Sequence, residues 1–306
     1  MPTRRQFVQR SSLLAAMAGL APLLPASAFA ADELMMRSIP SSGERLPVIG
    51  LGTSRTFNVD PASGEMSGLL EVMKTFVEGG ARLIDTAPSY GDAEAVTGEL
   101  VKRVGARDEV FLATKVSSTG REAGQRQIEA SFKALQTEKI DLIQVHNLQD
   151  TVTQLGLLRE LKEQGRIRYI GITHYVESAH DDLIAVLQKE KVDFVQFNYS
   201  VAARNAEKRL LPFCAEHGIA TLINRTYGAG QLFARVKGKA LPGWAVAELR
   251  VGSWAQLMLK FVLADPAVTA VIPATSNPRY MADNLLAGQG RLPDARQREQ
   301  IAAEFA

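Results

Sequence analysis

The sequence predicts an α/β protein with the architecture of a (β/α)8 TIM barrel, and three observations support this prediction. Short runs of β-branched and apolar residues recur eight times, mostly about 26 to 35 residues apart. Amphipathic stretches with helical periodicity lie between most of these runs, which is the alternation typical of a parallel barrel. The Gly50-Leu51-Gly52 turn lacks the third glycine of a dinucleotide-binding fingerprint, because Arg55 occupies that position. An open doubly wound sheet is therefore disfavoured.

The predicted elements follow one another in barrel order. We expect strands at residues 47–52, 82–85, 110–115, 141–146, 169–173, 194–199, 220–225 and 270–273. We expect helices at residues 68–79, 93–104, 125–136, 154–164 and 205–217, with another at 254–263. In the third of these helices Ile128, Phe132 and Leu135 share one stripe at helical spacing, so that face should pack against the barrel.

Two further segments complete the predicted domain. Residues 34–39 and 45–48 are expected to form a short hairpin across the bottom of the barrel. Residues 228–249, between the seventh and eighth strands, are the longest stretch without a clear period. Such a stretch at the active face of a barrel is typical of a loop that covers a cofactor or substrate.

Residues 1–30 have the pattern of an export signal. Paired Arg4 and Arg5 precede Phe7 and a mildly apolar run at residues 13–24, and Ala28-Phe29-Ala30 offers small residues for cleavage. The paired arginines resemble a twin-arginine (Tat) signal, which implies export of the folded protein by the Tat machinery, to the periplasm. The alternative is an uncleaved anchor, which the short apolar run and its prolines disfavour. The remaining residues, 31–306, are expected to form a single barrel domain without a membrane span.

Composition excludes several classes of protein. The chain is 46% hydrophobic and 22% charged, as in globular proteins rather than disordered ones. The three arginines of residues 1–30 are among 35 basic residues, so without them the 33 acidic residues leave a net charge of about −1. This charge does not favour nucleic acid or an anionic membrane as a partner.

Cys214 is the only cysteine, which excludes an internal disulfide and indicates a small buried hydrophobe. No His, Cys or Asp cluster has the spacing of a metal site, and His180 and His217 are expected on helix surfaces.

Four polar residues coincide with the carboxyl ends of neighbouring predicted strands, where the active sites of barrels are built. Asp85 and Tyr90 follow the second strand, Lys115 ends the third, and His146 ends the fourth. A buried Lys or Asp is unfavourable unless it is paired, and Asp85 and Lys115 can pair with each other. Each residue alone has an ordinary structural interpretation, but four at one barrel mouth indicate a catalytic site.

These side-chain types suit proton donation to a carbonyl that receives a hydride. A free phenol titrates only near pH 10, roughly, so it is a poor acid at neutral pH. A cation close by stabilises the phenolate, and Lys115 held by Asp85 would make the Tyr90 hydroxyl a better acid in this way. His146 can orient the carbonyl oxygen and share its developing charge.

The motifs together resemble the aldo/keto reductase family over about residues 45 to 290. The resemblance is carried by Asp85-Thr86-Ala87-x-x-Tyr90-Gly91, Ala113-Thr114-Lys115, the strand-end His146, Gly50-Leu51-Gly52-Thr53, and Ile272-Pro273-Ala274-Thr275 followed by Asp283-Asn284. It implies a metal-free barrel that carries out reversible, NAD(P)H-dependent reduction of aldehydes or ketones. It further implies that Tyr90 is the general acid, that Lys115 increases its acidity, that Asp85 holds Lys115, and that His146 orients the substrate.

The same resemblance implies a cofactor site along the late strands. The carboxamide contacts would fall on Thr173, His174 and Gln196, where His174 replaces the family's asparagine but can still donate one hydrogen bond. Arg225 stands where many members place an aromatic ring. It could stack on the nicotinamide, contact the pyrophosphate or form a structural pair. The remaining expected cofactor contacts are Thr53, Asp85, Gly228, Ser276, Arg279 and Asn284. Ser276 or Asn277 could also cap the helix that begins there, with Pro278 at an early position.

The sequence gives less direct information about which cofactor and which substrate the protein uses. Ala274 and Tyr280 occupy positions that are commonly basic in NADP-dependent members, but Arg279 is adjacent, so NADP(H) is expected in preference to NAD(H). The mouth is expected to be shaped by Asn147, Trp244 and Phe57, for a small carbonyl or alcohol substrate. The protein is expected to be a monomer or weak oligomer. The alternative function is a cofactor-holding redox sensor or interaction subunit on the same barrel, with little catalysis.

Overall fold

The computed structural model describes residues 33–306, which form one compact unit. The predicted signal at residues 1–30 lies outside the described residues. The described chain begins with a β-hairpin of β1 (Met36–Ser38) and β2 (Arg45–Pro47), paired antiparallel. The hairpin was predicted here, and Ile39 and Leu46 within it are buried against the lower barrel interior.

Eight parallel strands form one sheet in chain order, which confirms the predicted TIM barrel. They are β3 (Leu51–Gly52), β4 (Leu83–Asp85), β5 (Phe111–Val116), β6 (Ile140–His146), β7 (Ile167–Thr173), β8 (Phe194–Asn198), β9 (Ala220–Asn224) and β10 (Ala270–Val271). The first predicted strand was too long, because Pro47 belongs to the hairpin and only residues 51–52 form a continuous barrel strand. Isolated parallel bridges, Ile49 to Val271 and Gly52 to Ala274, join the first barrel strand to the last.

Glycine is required at position 52 because the backbones of the first and last barrel strands approach each other closely there. A Cβ atom added to Gly52 would lie 2.6 Å from the carbonyl oxygen of Ile272, closer than real Cβ contacts allow. The Gly52 N–H donates to the carbonyl of Pro273 at 3.1 Å. A side chain here would therefore push apart the strands that close the barrel.

The helices surround the barrel, and most of them bury one face, whereas α9 is buried on all sides from residue 256 to residue 263. They are α1 (Glu65–Glu78), α2 (Ala93–Val104), α3 (Arg121–Ala134), α4 (Thr151–Glu163), α5 (His180–Leu187), α6 (Leu210–His217), α7 (Leu232–Arg235), α8 (Gly243–Leu249), α9 (Trp254–Leu263), α10 (Pro278–Ala287) and α11 (Ala295–Ala303). The side chain of Asn277 accepts from the Arg279 N–H and caps α10, with Pro278 as its first residue. This is one of the two capping alternatives raised by the sequence.

The segment 228–249 differs from the prediction of an irregular loop. It contains the short helices α7 and α8 after a turn at Gly228–Gly230. Ala245 and Leu249 bury the inner side of α8, so tertiary packing stabilises a helix too short to show a clear period in sequence.

His180 also differs from its prediction as a surface residue. It is 2% exposed, and its Nε2 lies 3.1 Å from Asn198 Oδ1. His217 is exposed as predicted. Cys214 is buried as predicted, and its burial raises the pKa of the thiol to about 12. The thiol is therefore protonated at neutral pH.

The lower interior of the barrel is apolar. Its buried side chains form one cluster with the hairpin: Ile39, Leu46, Leu83, Phe111, Ala113, Leu142, Tyr169, Phe194, Ala220, Leu222, Ala270 and Ile272. Many of them lie at the amino ends of their strands, so this end of the barrel is filled. Polar groups on the same inward faces are consequently gathered at the carboxyl ends.

Candidate active site

A cavity of about 630 Å³ opens at the carboxyl ends of the strands. Predicted site residues on its wall are Thr53, Asp85, Tyr90, His146, Asn147, Thr173, Gln196 and Arg225. Other lining residues include Gly52, Ser54, Arg55, Thr56, Ser89, Tyr175, Asn224, Thr226, Tyr227, Ala229, Gly230, Phe233, Ile272, Pro273 and Ala274. The structure thus brings together side chains from seven of the eight strand ends.

Asp85 and Lys115 form an ion pair beneath this cavity. The Lys115 ammonium donates to Asp85 Oδ2 at 2.7 Å and to the Thr86 carbonyl at 2.8 Å. The Lys115 side chain is fully buried and that of Asp85 is 4% exposed. Neighbouring strands place the two groups opposite each other, because Asp85 pairs with Ala113 in the ladder and Lys115 lies two residues further along β5. The predicted pairing is confirmed.

The Lys115 ammonium also lies close to the Tyr90 ring, 5.0 Å from its centroid. Burial alone would lower the pKa of Lys115, but the Asp85 carboxylate and the Tyr90 hydroxyl outweigh it, so the pKa is raised. Lys115 therefore carries its charge at neutral pH. A fixed cation at this position stabilises negative charge on a phenol oxygen.

Two buried glutamines hold the other oxygen of Asp85. Gln196 Nε2 donates to Asp85 Oδ1 at 2.7 Å, and Gln144 Nε2 donates to it at 3.2 Å. The backbone N–H and hydroxyl of Thr53 bind the Asp85 carbonyl at 3.0 and 3.1 Å. Both carboxylate oxygens are thus satisfied without water, which fixes the orientation of the carboxylate that holds Lys115.

His146 lies next to Tyr90, with ring centroids 6.0 Å apart in an edge-to-face arrangement. Burial, with the Lys115 charge and His174, lowers the pKa of His146 to about 3. A neutral imidazole has one N–H donor and one acceptor. Ser89 Oγ lies 3.4 Å from His146 Nδ1, and donation from this hydroxyl would leave the proton on Nε2. His146 can then donate a hydrogen bond to a carbonyl oxygen throughout the physiological pH range.

The low pKa of His146 predicts a specific loss of stability in acid. Between pH 6.5 and about 3 the unfolded chain binds a proton at this position and the folded chain does not, so the free energy of unfolding falls as pH falls. From pH 7 to 4.5 this one group accounts for about 2.5 kcal/mol. In urea titrations, His146→Gln should therefore lose about that much less stability over this interval than the parent. An equal loss in both proteins would contradict the assigned pKa.

The wall formed by β7, β8 and β9 carries the amide and hydroxyl groups. Thr173 Oγ1 donates to Gln196 Oε1 at 3.2 Å, and Asn224 Nδ2 donates to the same oxygen at 3.3 Å and to the His174 carbonyl at 3.1 Å. Asn224 Oδ1 is buried without a hydrogen-bond partner. An unsatisfied buried acceptor is unfavourable, and an N–H donor of a bound ligand would relieve this. This set of groups fits a carboxamide such as that of nicotinamide.

His174 does not line the cavity. Its Nδ1 accepts from the Tyr175 N–H at 3.0 Å, so the ring is turned toward its own backbone. Asn224, two positions along the inward face from Leu222, stands on the cavity wall instead. The predicted contact of His174 with a carboxamide is therefore not supported by its position, and Asn224 offers the corresponding amide.

Arg225 directly follows β9 with a φ of 53°, in the left-handed region. Its guanidinium lies 4.2 Å from the centroid of the Tyr175 ring, and both residues line the cavity. The sequence left stacking on the nicotinamide, a pyrophosphate contact and a structural pair open for this arginine, and the contact with Tyr175 is of the structural kind. Its contact with a cofactor remains a prediction.

The other predicted cofactor residues lie beyond the cavity wall. Ser276 and Arg279 are exposed at the beginning of α10, and Gly228 forms the turn after Arg225 with a φ of 57°. Asn284 is buried on α10, where its Oδ1 accepts from the Tyr227 hydroxyl at 2.5 Å. Tyr227 lines the cavity, so this bond connects α10 to the site. Free N–H groups at the beginning of α10 are suited to a phosphate.

Two predictions about the mouth are corrected. Phe57 is fully buried in the core, and Trp244 on α8 packs against the core without lining the cavity. Asn147 is exposed on the wall with a φ of 52°, as expected of a residue that turns the chain after β6. Tyr175 and Phe233 supply the exposed aromatic rings instead.

Sequence reasoning also missed polar residues within the barrel. Gln144 lies two positions before His146, and Asn224 two positions after Leu222, so strand alternation alone places both on the inward face. The sequence therefore contained the information needed to find Gln144 and Asn224. Arg55 and Tyr175 come from loops, and Phe233 comes from the short helix α7, and periodicity does not predict the paths of such segments.

Residues 33–306 contain neither a candidate metal site nor a candidate membrane span. There, no group of three or more His, Cys, Asp or Glu side chains could hold a metal ion. No helix in the same range is long and apolar enough to cross a membrane.

Comparisons with known proteins agree with this site. The model of the aldo/keto reductase family matches residues 48–302. The aldo-keto reductase YhdN of Bacillus subtilis (strain 168) is 30% identical over 214 residues, 65% of this chain and 64% of that protein. The NADH-specific methylglyoxal reductase of Escherichia coli (strain K12) is 29% identical over 214 residues, 60% of this chain and 63% of that protein. The match spans less than two thirds of the length of either relative.

The fold has a close counterpart among solved structures. An aldo-keto reductase from Klebsiella pneumoniae in complex with NADPH superposes with a TM-score of 0.74 at 23% identity, covering 90% of this chain and 95% of that one. This chain therefore shares its barrel fold with that solved structure, and the family model covers most of the chain. The chain belongs to the aldo/keto reductase family.

Proposed function

We propose that the protein is an oxidoreductase that reduces aldehydes or ketones to alcohols, reversibly, with NAD(P)H. The observation that carries this proposal is the buried Lys115, fixed beneath the cavity between the Asp85 carboxylate and the ring of Tyr90, which lines the cavity. A bound reduced nicotinamide dinucleotide supplies a hydride for the carbonyl carbon. The protein must then deliver a proton to the carbonyl oxygen and stabilise the charge that develops there.

The side chains divide this work. Tyr90 donates its hydroxyl proton to the carbonyl oxygen, and Lys115 stabilises the phenolate that remains. Asp85 holds Lys115 in place, supported by Gln144 and Gln196. His146, neutral because of its low pKa, donates a hydrogen bond that orients the carbonyl. In the reverse direction the Tyr90 phenolate accepts the proton of the alcohol.

The residues that would bind the carboxamide of the cofactor lie on the cavity wall formed by β7, β8 and β9. Thr173, Gln196 and Asn224 offer hydrogen-bonding groups for the carboxamide, and the unpartnered Asn224 Oδ1 is the observation that favours this side. Arg225 and Arg279 provide positive charge for phosphates. The preference for NADP(H) over NAD(H) rests on Arg279, next to a position that is commonly basic in NADP-dependent members. One relative is named as NADH-specific, so both cofactors belong in the test.

Steady-state turnover tests the proposal directly. Purified protein should oxidise NADPH, or NADH less efficiently, in the presence of methylglyoxal, a compound named for the Escherichia coli relative, and of other small aldehydes. Absorbance of the reduced nicotinamide band reports the rate. A protein that binds either cofactor but turns over none of these carbonyls would instead support the alternative role of a redox sensor or interaction subunit.

We also propose export through the Tat pathway, which the paired Arg4 and Arg5 support. A barrel that folds around its cofactor before export could carry that cofactor to the periplasm, and a monomer or weak oligomer is the state we expect there. In a Gram-negative host, replacement of both arginines by lysine should retain the protein in the cytoplasm. Mature protein from the periplasmic fraction should begin at Ala31. Unchanged fractionation of the double variant would argue against this route.

A further inference from the structure

The cavity wall carries more positively than negatively charged side chains. Three of them line it, Arg55, Asp85 and Arg225, and Asp85 is committed to Lys115. Both arginines therefore line the cavity without a carboxylate partner among the described residues. Arg225 is covered on one face by Tyr175. A cleft lined by one sign of charge concentrates ligands of the opposite sign.

Arg55 is the arginine nearer in the fold to the proton donor. It follows β3, whose Gly52 pairs with Asp85 of β4, and Tyr90 follows β4. The Phe57 N–H donates to the Thr53 carbonyl at 3.0 Å, and the buried Phe57 ring anchors the same turn. Arg55 is exposed within this anchored turn, and the described residues give it no hydrogen bond or ion pair.

The backbone of Arg55 is also unusual. Its φ is 66°, in the left-handed region that non-glycine residues seldom adopt. Glycine or asparagine would suit this conformation better, so packing of the turn maintains an arginine where local preference opposes it. An uncompensated guanidinium in a strained position on a cavity wall is typical of ligand recognition rather than of a structural role.

We propose that Arg55 binds an anionic group of the substrate, and that the preferred substrates are carbonyl compounds bearing a carboxylate, such as short semialdehydes and oxo acids. This inference rests on the proposed carbonyl reduction. Arginine pairs with carboxylates through two parallel, charge-assisted hydrogen bonds, which would fix the carbonyl relative to Tyr90. The other anion available to Arg55 is a phosphate of the cofactor. Arg225 and the beginning of α10, around the seventh and eighth barrel strands, are the better placed groups for that phosphate.

Matched substrates test this inference. Succinic semialdehyde and butanal have chains of the same length and differ in the carboxylate, as do 4-carboxybenzaldehyde and 4-methylbenzaldehyde. The parent should show a higher kcat/KM for the charged member of each pair. In Arg55→Gln the charged-to-neutral ratio of kcat/KM should fall by about 10- to 100-fold, as expected for loss of a charge-assisted bond. Arg296→Gln is the control, because this exposed α11 residue has the same charge and no partner among the described residues.

Two binding measurements separate the possible outcomes. Succinate, which cannot be reduced here, should bind the parent in calorimetric titrations and bind Arg55→Gln at least tenfold more weakly, even if turnover is absent. NADPH affinity should be the same in both proteins. Weaker NADPH binding in Arg55→Gln would assign the residue to the cofactor and overturn the inference. A parent that prefers the neutral aldehydes would overturn it while leaving carbonyl reduction intact. Succinate binding without reduction of any aldehyde would refute the proposed reaction alone.

Discussion

Tyr90→Phe should reduce the rate of carbonyl reduction by about 10²- to 10⁴-fold, the range typical of a lost general acid. The substitution removes one oxygen from a half-buried ring and leaves the ring contact with Lys115 in place. The fold, the Asp85–Lys115 pair and the cofactor wall should therefore be preserved. Stopped-flow measurement of NADPH oxidation at saturating cofactor would report the loss in the chemical step.

The control for this variant is Tyr169→Phe. Tyr169 lies in the apolar lower barrel, where its hydroxyl contacts Ser42 and Glu44 at the opposite end from the cavity. Loss of this hydroxyl should reduce stability slightly and leave the rate close to that of the parent. If Tyr90→Phe retained parental activity, or if both variants lost it equally, Tyr90 would not be the proton donor.

The parts of the site that could be predicted are those fixed by strand order. Asp85, Lys115 and His146 each end a strand or lie at its last inward position, and parallel strands of a barrel place their carboxyl ends together. The Asp85–Lys115 pair followed from the physical requirement that a buried charge be compensated. The position of a residue at a strand end and the need to pair a buried charge can both be recognised from short stretches of sequence. The only further information needed is which strands are neighbours in the barrel.

The parts that could not be predicted depend on tertiary packing. Trp244 was expected at the mouth, but formation of α8 turns it toward the core. His180 falls on a helical stretch where polar residues are usually exposed, and only the ends of β8 and the following turn supply its partners Asn198 and Asn205. Likewise, the choice between Ser276 and Asn277 as the helix cap depended on backbone dihedral angles. Periodicity carries no information about these contacts.

Lys115→Met should be the most destabilising of the substitutions considered for this site. It leaves the Asp85 carboxylate buried with two amide donors but without a countercharge, and removal of one partner from a buried ion pair costs about 3–5 kcal/mol. Carbonyl reduction should be lost as well, because the phenolate of Tyr90 would no longer be stabilised. The free energy of unfolding, measured by urea titration at pH 7, reports the first effect.

A double-mutant cycle distinguishes loss of the ion pair from loss of packing. Asp85→Asn combined with Lys115→Met removes both charges, so the double variant should be more stable than Lys115→Met alone, although it should remain inactive. Lys74→Met is the control, since the Lys74–Glu71 pair is 2.8 Å long but its side chains are 46% and 56% exposed, and such pairs contribute about 1 kcal/mol or less. Additive effects of Asp85→Asn and Lys115→Met would mean that the two charges do not stabilise each other. Because the pair also fixes the ammonium beneath Tyr90, non-additivity in stability and loss of turnover should have the same structural origin.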